Sequence, residues 1–397
     1  MIRLAPAWLV ILAGVSAALH VGKLPPALPV LQQSLGIGLL EAGFLLSLVQ
    51  LAGMALGLAV GLAADTLGLK RTMVAGLVIL SGASLAGGWA ADIPTLLALR
   101  ALEGLGFLLA SMPAPGLIRR LVAPGRISTM LGLWGAYMPF GTALALLFGP
   151  AVMHWAGWQG WWWSLGLLSL GMALWLAIDL EADPQRASAA RAGWGQRLVQ
   201  TLAAPGPWLV ALSFAVYSAQ WLAMIGFLPS LYASLGLPAS WAAIATAFAA
   251  AVNMVGNIGS GRLLQRGVPP QHLLYLGFAT MGLCTVLAFA PLGADGPGQA
   301  ALRYGGVLLF SAVGGLIPGT LFSLAVRLAP GEGTVSTTVG WMQQWSALGQ
   351  FAGPPLVAWV AVRAGGWHWS WAVTGSCAAG GLVLAHAIAR TLRQSRH

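Results

Sequence analysis

The sequence predicts an all-α membrane protein of twelve transmembrane helices, arranged as two pseudo-symmetric six-helix bundles. Three observations predict it. Of 397 residues, 58% are apolar and only 7% charged, and the mean hydropathy is +0.82. The apolar residues fall into twelve long runs. The first half of the chain also recurs in the second, about 200 residues later.

Composition excludes most function classes. An ordinary soluble domain carries about 25% charged residues, and a soluble chain of this length could not hide so much apolar surface. Soluble enzyme, nucleic-acid binder, disordered chain and disulfide-stapled secreted scaffold are therefore poor readings. The apolar stretches are continuous rather than alternating, which disfavours a β-barrel. The net charge of +10 is spread one to three residues per loop and makes no nucleic-acid face. Cys284 and Cys377 both lie in apolar stretches, and no metal-ligand spacing exists, so neither metal nor other cofactor is expected.

The spans run over about 7–29, 41–64, 72–91, 95–118, 127–153, 160–179, 207–232, 239–261, 271–292, 301–326, 336–362 and 368–389. The longest break, 180–206, carries Glu181, Asp183, Arg186, Arg191 and Arg197 and reads as a cytoplasmic linker. It divides an N-terminal bundle, 1–179, from a C-terminal bundle, 207–397. With the first terminus inside, fifteen basic residues fall on the cytoplasmic side: Arg3, Lys70, Arg71, Arg119, Arg120, Arg126, Arg186, Arg191, Arg197, Arg262, Arg266, Arg327, Arg390, Arg393 and Arg396. Only Arg363 falls clearly outside. The positive-inside asymmetry places both termini in the cytoplasm and supports an even span count, as for a multi-pass protein of a bacterial inner membrane.

The repeat is in register over both halves. Leu28-Pro29 and Ser34-Leu35-Gly36 recur as Leu228-Pro229 and Ser234-Leu235-Gly236. Ala98-Leu99-Arg100 recurs as Ala301-Leu302-Arg303, Pro115-Gly116 as Pro318-Gly319, and Ala123-Pro124-Gly125 as Ala329-Pro330-Gly331. Arg3, the apolar run after it and the small residues at 15–18 could be a signal peptide. The first span has a partner in the seventh, so it is assigned to the fold instead. Two six-helix repeats joined by a linker imply a transporter with its substrate near the midplane and alternating access by rocking lobes.

The segment Gly61-Leu62-Ala63-Ala64-Asp65-Thr66-Leu67-Gly68-Leu69-Lys70-Arg71 resembles the loop signature between helices two and three of the major facilitator superfamily. Arg100-Ala101-Leu102-Glu103-Gly104-Leu105-Gly106 resembles that superfamily's fourth-helix motif. Thr66 stands where the family usually has Arg. The fifth-helix antiporter pattern is half present, since Gly135-Ala136-Tyr137-Met138-Pro139-Phe140-Gly141 lacks the Gly-Pro and Gly-Gly pairs. The stretch Gly22-Lys23-Leu24-Pro25-Pro26-Ala27-Leu28-Pro29, with Pro113 and Pro115, is similar in look to the cyanate and nitroimidazole permease group. The resemblance implies a twelve-helix transporter in which Asp65, at a helix terminus, locks the outward-open state.

Charges inside a bilayer are expensive, so each intramembrane ion is a candidate functional residue. Lys23 lies in the outer half of the first span with His20 one turn below it, and reads as an anion-binding pair or as a snorkelling lysine beside an interhelical hydrogen bonder. The offset places Gln220 opposite His20 and Tyr217 opposite Ala17, giving the seventh helix a polar face in the matching place. His20 and Gln220 are therefore expected to approach one central cavity from opposite lobes. Arg100 and Glu103, at i and i+3, can pair. Glu103 is the one acid well inside a span and the leading site for proton coupling, with Arg100 released to hold substrate. Arg303 is Arg100's repeat partner near a span end. Tyr137, Gln344 and Trp345 are mid-span candidates for substrate contact. Asp65, Lys70 and Arg71 are candidate gate residues. Trp155, Trp158, Trp161, Trp162 and Trp163 read as an interfacial aromatic belt, and Gly53, Gly57 and Gly61 as a packing ladder.

The expected function is secondary active transport of a small anionic solute, coupled to protons, by a monomer that binds no nucleic acid. The alternative is a proton-driven exporter of drugs or amphipathic compounds. An intramembrane enzyme lacks a catalytic set, and a transport-dead sensor lacks a signalling domain.

Overall fold

The computed structural model describes residues 6–123, 130, 133–183, 193–290, 297–331 and 334–394, with the backbone alone at 61–66, 194, 297 and 336. Every regular element among them is helical. Ten stretches are long and apolar enough to cross a membrane. We label α1 Pro6–Leu35, α2 Leu39–Val60, α3 Leu69–Gly87 and α4 Ile93–Leu121. The stretch Leu133–Asp179 spans 47 residues, over twice a bilayer crossing. Gly157, at φ +69, breaks it into α5 before and α6 after, a backbone conformation that a side chain would resist. The second bundle holds α7 Pro205–Ser234, α8 Ala239–Gln265, α9 Pro270–Phe289, α10 Gly298–Arg327, α11 Val335–Ala364 and α12 Trp367–Gln394. Counting both arms of the broken stretch and the 30-residue α11 gives the twelve helices that the sequence predicts.

The break at 180–206 is not wholly irregular. A helix, Trp194–Ala203, precedes α7, and Trp208 Nε1 donates to Leu202 O across that junction at 2.9 Å. The periodicity of this short polar helix was hidden by its charged surroundings. Residues 184–192, with Arg186 and Arg191, lie outside the described residues.

Helix α1 packs into the first bundle. Of its most apolar window, 89% is buried inside the protein. Its helix turns at Lys23 between Pro6–Gly22 and Leu24–Leu35. Pro25 and Pro26 have no N–H, so the carbonyls of Val21 and Gly22 lose their helical partners and the axis can bend there. Trp161 Nε1 of α6 donates to Lys23 O at 3.1 Å, fastening the bend.

The two bundles meet where α2 packs on α11, α5 on α8, and the far half of α1 on α7. Small residues let α2 and α11 approach. A methyl group at Gly53 would lie 2.9 Å from Ala347 Cβ, and one at Gly57 3.3 Å from Gln344 Cβ. Polar bonds cross the same seam: Gln50 Nε2 donates to Gln350 Oε1 at 3.0 Å, and Leu58 N–H to Gln344 Oε1 at 3.0 Å. The Gly61 end of the packing ladder lies among the backbone-only residues.

Candidate functional site

The most unusual feature is a set of ionisable side chains with no access to solvent. Lys23, Arg100, Glu103 and His20 are all at most 2% exposed. Helix α4 places Arg100 and Glu103 one turn apart on a single face, and the bend of α1 points Lys23 at the same spot. Arg100 Nη1 donates to Glu103 Oε2 at 2.6 Å, and Lys23 Nζ donates to Glu103 Oε1. One carboxylate thus accepts from two cations, one on each oxygen. A lone charge at this depth costs about 2.5–3.5 kcal/mol by insertion scales. Charge-assisted bonds offset that only where each ion is partnered.

The rest of the shell gives the cluster a front and a back. Arg100 faces the helices of the seam: Nη1 also donates to His20 O of α1 at 2.6 Å, and Nε to Leu45 O of α2 at 3.2 Å. Its Nη2 is buried with no hydrogen-bond partner among the described residues. Lys23 faces the other way, into its own lobe. Its Nζ donates to Ser84 Oγ of α3 at 2.9 Å and stands 4.5 Å from the centre of the Trp162 ring of α6. Ser84 Oγ in turn donates to Trp162 O at 2.8 Å. Lys23 therefore does not snorkel.

Several expectations change on this geometry. His20 Nε2 lies 2.8 Å from Ser169 Oγ of α6, inside the first lobe. Gln220 Nε2 donates to Val216 O at 3.1 Å on its own helix, and the residue lines a cavity of about 150 Å³ between α7, α11 and α12. The two residues keep their pseudo-symmetric register, but His20 bonds α6 and Gln220 bonds its own helix. Among the described residues, the side-chain bond of each stays within its own lobe. Trp158, Trp161 and Trp162 are buried at 5%, 4% and 1% and do not form a belt, whereas Trp155 is 86% exposed. Trp161 and Trp162 wall the ion cluster, and their sequence signal was indistinguishable from that of interfacial tryptophans.

Other candidates are dispersed. Tyr137 stacks on Trp134 at 4.1 Å between ring centres. Tyr217 Oη accepts from Asn253 Nδ2 at 3.1 Å, and the same amide donates to Ser311 O at 2.8 Å, tying α7, α8 and α10 together. Arg303 lies half-buried in the first turns of α10, with glycine, Gly306, where the first lobe has Glu103. Gln344 holds Leu58 across the seam, as above. Sequence reasoning missed Gln50 and Gln350, because isolated glutamines in apolar runs carry no pattern.

At the ends of α3, α4 and α6, Asp183 gathers what the charged loop offers. Its Oδ1 accepts from Lys70 N at 3.1 Å and from Arg120 Nη1 at 2.8 Å, and its Oδ2 from Arg71 N at 3.0 Å. Lys70 Nζ donates to Ala177 O at 2.8 Å and Leu180 O at 2.5 Å. Gly68, at φ +96, opens α3 and leaves room for this carboxylate, where a Cβ would collide with it. Partial burial pushes the Asp183 carboxyl up. The two backbone N–H groups and the Arg120 guanidinium outweigh that and hold it below the usual carboxylate range. The described bonds of Lys70 and Arg71 thus stay within the first lobe rather than crossing to the second. The side chain of Asp65 lies outside the described residues.

The family model of the Major Facilitator Superfamily matches residues 10–354. The puromycin resistance protein pur8 of Streptomyces alboniger is 35% identical over 135 residues, which is 34% of this chain and 27% of that protein. The tetracenomycin C resistance and export protein of Streptomyces glaucescens is 25% identical over 158 residues, 39% of this chain and 29% of that protein. The chain thus matches less than a third of the length of either. A bacterial homologue of the human lysosomal transporter Spinster, in an inward-facing and unoccupied conformation, superposes with TM-score 0.72 at 18% identity, over 98% of this chain and 92% of that one. Its occupied form gives 0.70 at 19% identity. At such identity these structures speak for the fold alone. The family match covers most of the chain and agrees with the all-helical two-bundle architecture: this protein is a member of the Major Facilitator Superfamily, a family of membrane transporters.

Proposed function

We propose that the protein is a secondary active transporter that moves a small anion by alternating access, in symport with protons. The observation that carries this reading is the sharing of one carboxylate by two buried cations. With Lys23 protonated, Lys23, Arg100 and Glu103 together hold one positive charge in excess, in surroundings that penalise it. An anion is the ligand that removes the excess. Arg100 is the group placed to receive it, since it faces the seam helices and keeps Nη2 without a partner among the described residues. The lobes 1–179 and 207–397 rock about the α2–α11 seam, with Tyr137, Tyr217 and Gln344 beside the pathway. Asp65, Lys70 and Arg71 serve the gate on the side of the termini, which is cytoplasmic by its excess of basic residues.

A second reading is favoured by the two named relatives, both resistance proteins and one an exporter. Export of amphipathic compounds would use the neutral side chains of the seam, Gln50, Gln344 and Gln350, rather than the ion cluster.

Thermal unfolding of the purified protein separates the two. A ligand that binds the folded state raises Tm by mass action. Formate, cyanate, nitrate and acetate are tested against puromycin. We expect at least one anion to raise Tm, and Arg100→Gln to abolish the rise. A rise with puromycin and none with any anion would put the exporter reading first.

A further inference from the structure

We infer that Lys23, rather than Glu103, is the group that takes up and releases the coupling proton. This rests on the reading of the protein as a proton-coupled transporter, and it names the group that reading leaves open.

Geometry removes Glu103 first. Both its oxygens accept from a cation, Oε1 from Lys23 Nζ and Oε2 from Arg100 Nη1, so a proton on Glu103 would weaken a charge-assisted bond to each of them. Arg100 is removed by chemistry, because a guanidinium keeps its charge in proteins. His20 is held through Nε2 to Ser169, and its side chain makes no bond to the carboxylate. Lys23 remains. An amine can exist as ammonium or neutral amine, and its neighbours accommodate both forms. As ammonium it donates to Glu103 and Ser84 and lies against the face of Trp162. As amine it still has two hydrogens for Glu103 and Ser84, and gives up only the attraction to the indole face. The groups that face Nζ are Glu103 and Arg100 from α4, Ser84 from α3 and Trp162 from α6, with His20 on its own helix; among the described residues no other ion reaches it.

Charge balance then describes a cycle. With Lys23 neutral, Arg100 and Glu103 cancel and the empty site carries no net charge. With Lys23 protonated and an anion on Arg100, the two cations balance the carboxylate and the ligand, again with no net charge. The unfavourable states are the anion without the proton and the proton without the anion. The proton and the ligand occupy opposite ends of Glu103, which lets each sense the other without contact.

The chain contains only two lysines, Lys23 and Lys70, which makes the test direct. Protein labelled with ¹³C and ¹⁵N in lysine alone is purified in detergent, and the Cε and Nζ resonances are followed from acid to alkaline pH. Lys70→Gln assigns the two signals. We expect the Lys23 signal to pass from ammonium to amine positions within the range where the protein is folded. Lys23→Arg keeps the charge but cannot release it, and should abolish proton uptake by proteoliposomes supplied with a formate gradient while keeping the formate-induced rise in Tm within a few-fold in affinity. A Lys23 signal that stays ammonium throughout would overturn the inference, as would Lys23→Arg with undiminished proton uptake. If Lys23 titrates but formate, cyanate and nitrate leave both its signal and Tm unmoved, the proton site stands and the anion reading fails.

Discussion

The cores of the two lobes are built on one frame and filled with different chemistry. In the first lobe, Lys23 reaches Ser84 of α3 and Trp162 of α6, beside the pair of His20 and Ser169. About 200 residues on, the corresponding places hold Ala223, Thr285 and Gln220. There Thr285 bonds Thr374 of α12, and a cavity of about 150 Å³ lies beside Gln220, Thr374 and Cys377. Arg100 has its counterpart in Arg303, but Glu103 faces Gly306. A duplicated bundle can therefore keep its helix packing while one copy concentrates the ions. The lesson is that pseudo-symmetry constrains backbone and register, while charge is free to become one-sided. A single lobe then carries the coupling chemistry and the other serves as its neutral counterpart in rocking.

The largest expected effect tests that one-sidedness. Glu103→Gln strands Arg100 in a dry core, and Lys23 with it while Lys23 is protonated, and should cost about 3–5 kcal/mol, the usual scale for removing one partner of a buried pair. Lys23→Met leaves a neutral Arg100–Glu103 pair and should cost about 1 kcal/mol or less, because an apolar isostere replaces an ion. Denaturation of both variants measured side by side checks the ranking. Equal losses would mean that the excess charge is not what matters, and the contrast between the lobes would lose its physical basis.

The loops at the ends of α3 and α9 repeat the contrast at the surface. Gly68 and Gly267 both take positive φ, +96 and +84, but among the described residues only α3 is met by a carboxylate, Asp183. Replacing Asp183 by Ala removes acceptors from two backbone N–H groups and should cost about 1 kcal/mol, as for a lost helix cap. Its pH dependence has a definite sign. The folded carboxyl is held below its unfolded value, so the stabilisation is present above the unfolded pKa and disappears as pH falls through the folded one. The difference in Tm between parent and variant should therefore shrink on the acid side. A constant difference from neutral to acid pH would show that the Asp183 charge contributes nothing.

Between the lobes, Gln50 and Gln350 make the one side-chain amide pair across the seam among the described bonds. A double-mutant cycle with Gln50→Leu and Gln350→Leu should give a coupling of about 0.6 kcal/mol, the average for such bonds within membranes. Zero coupling would mean that the two lobes are held by packing alone.

Much of this was legible in the sequence. The repeat is read by matching the two halves, and the twelve apolar runs and the conspicuousness of three intramembrane ions follow from what a bilayer forbids, and a bilayer forbids strongly. Spacing fixes the height of a residue along its helix. It does not fix which neighbour the residue meets, because that depends on the rotation of each helix in the bundle. For this reason Lys23 and Glu103 were found as separate candidates and not as partners. The inward turn of Trp161 and Trp162, the cap from Asp183 and the pairing of Gln50 with Gln350 join residues over 100 apart, and no local pattern announces them.

The smallest expected effects come from the pair that the repeat puts in register. His20 is bonded at Nε2 to Ser169, so His20→Leu removes one buried hydrogen bond and leaves a serine to find another partner, at about 1 kcal/mol. Gln220 is different. Its Oε1 is buried without a partner, and its amide donates only within its own helix. Leucine at that place gives up a weak bond, removes an unsatisfied acceptor and offers apolar contact to a cavity lined by Ala352, Leu356, Val357 and Val373. The terms nearly cancel, and Gln220→Leu should lie within about 0.5 kcal/mol of the parent, as for substitutions that break no specific feature. Transport sharpens the point further. If the ions of the first lobe carry the coupling, His20→Leu alters the pH dependence of anion uptake through its neighbour Lys23, and Gln220→Leu leaves it unchanged. Uptake assays of both variants over the same pH range decide it: an equal change in both would make the two lobes chemically equivalent, against the one-sided distribution of charge described above.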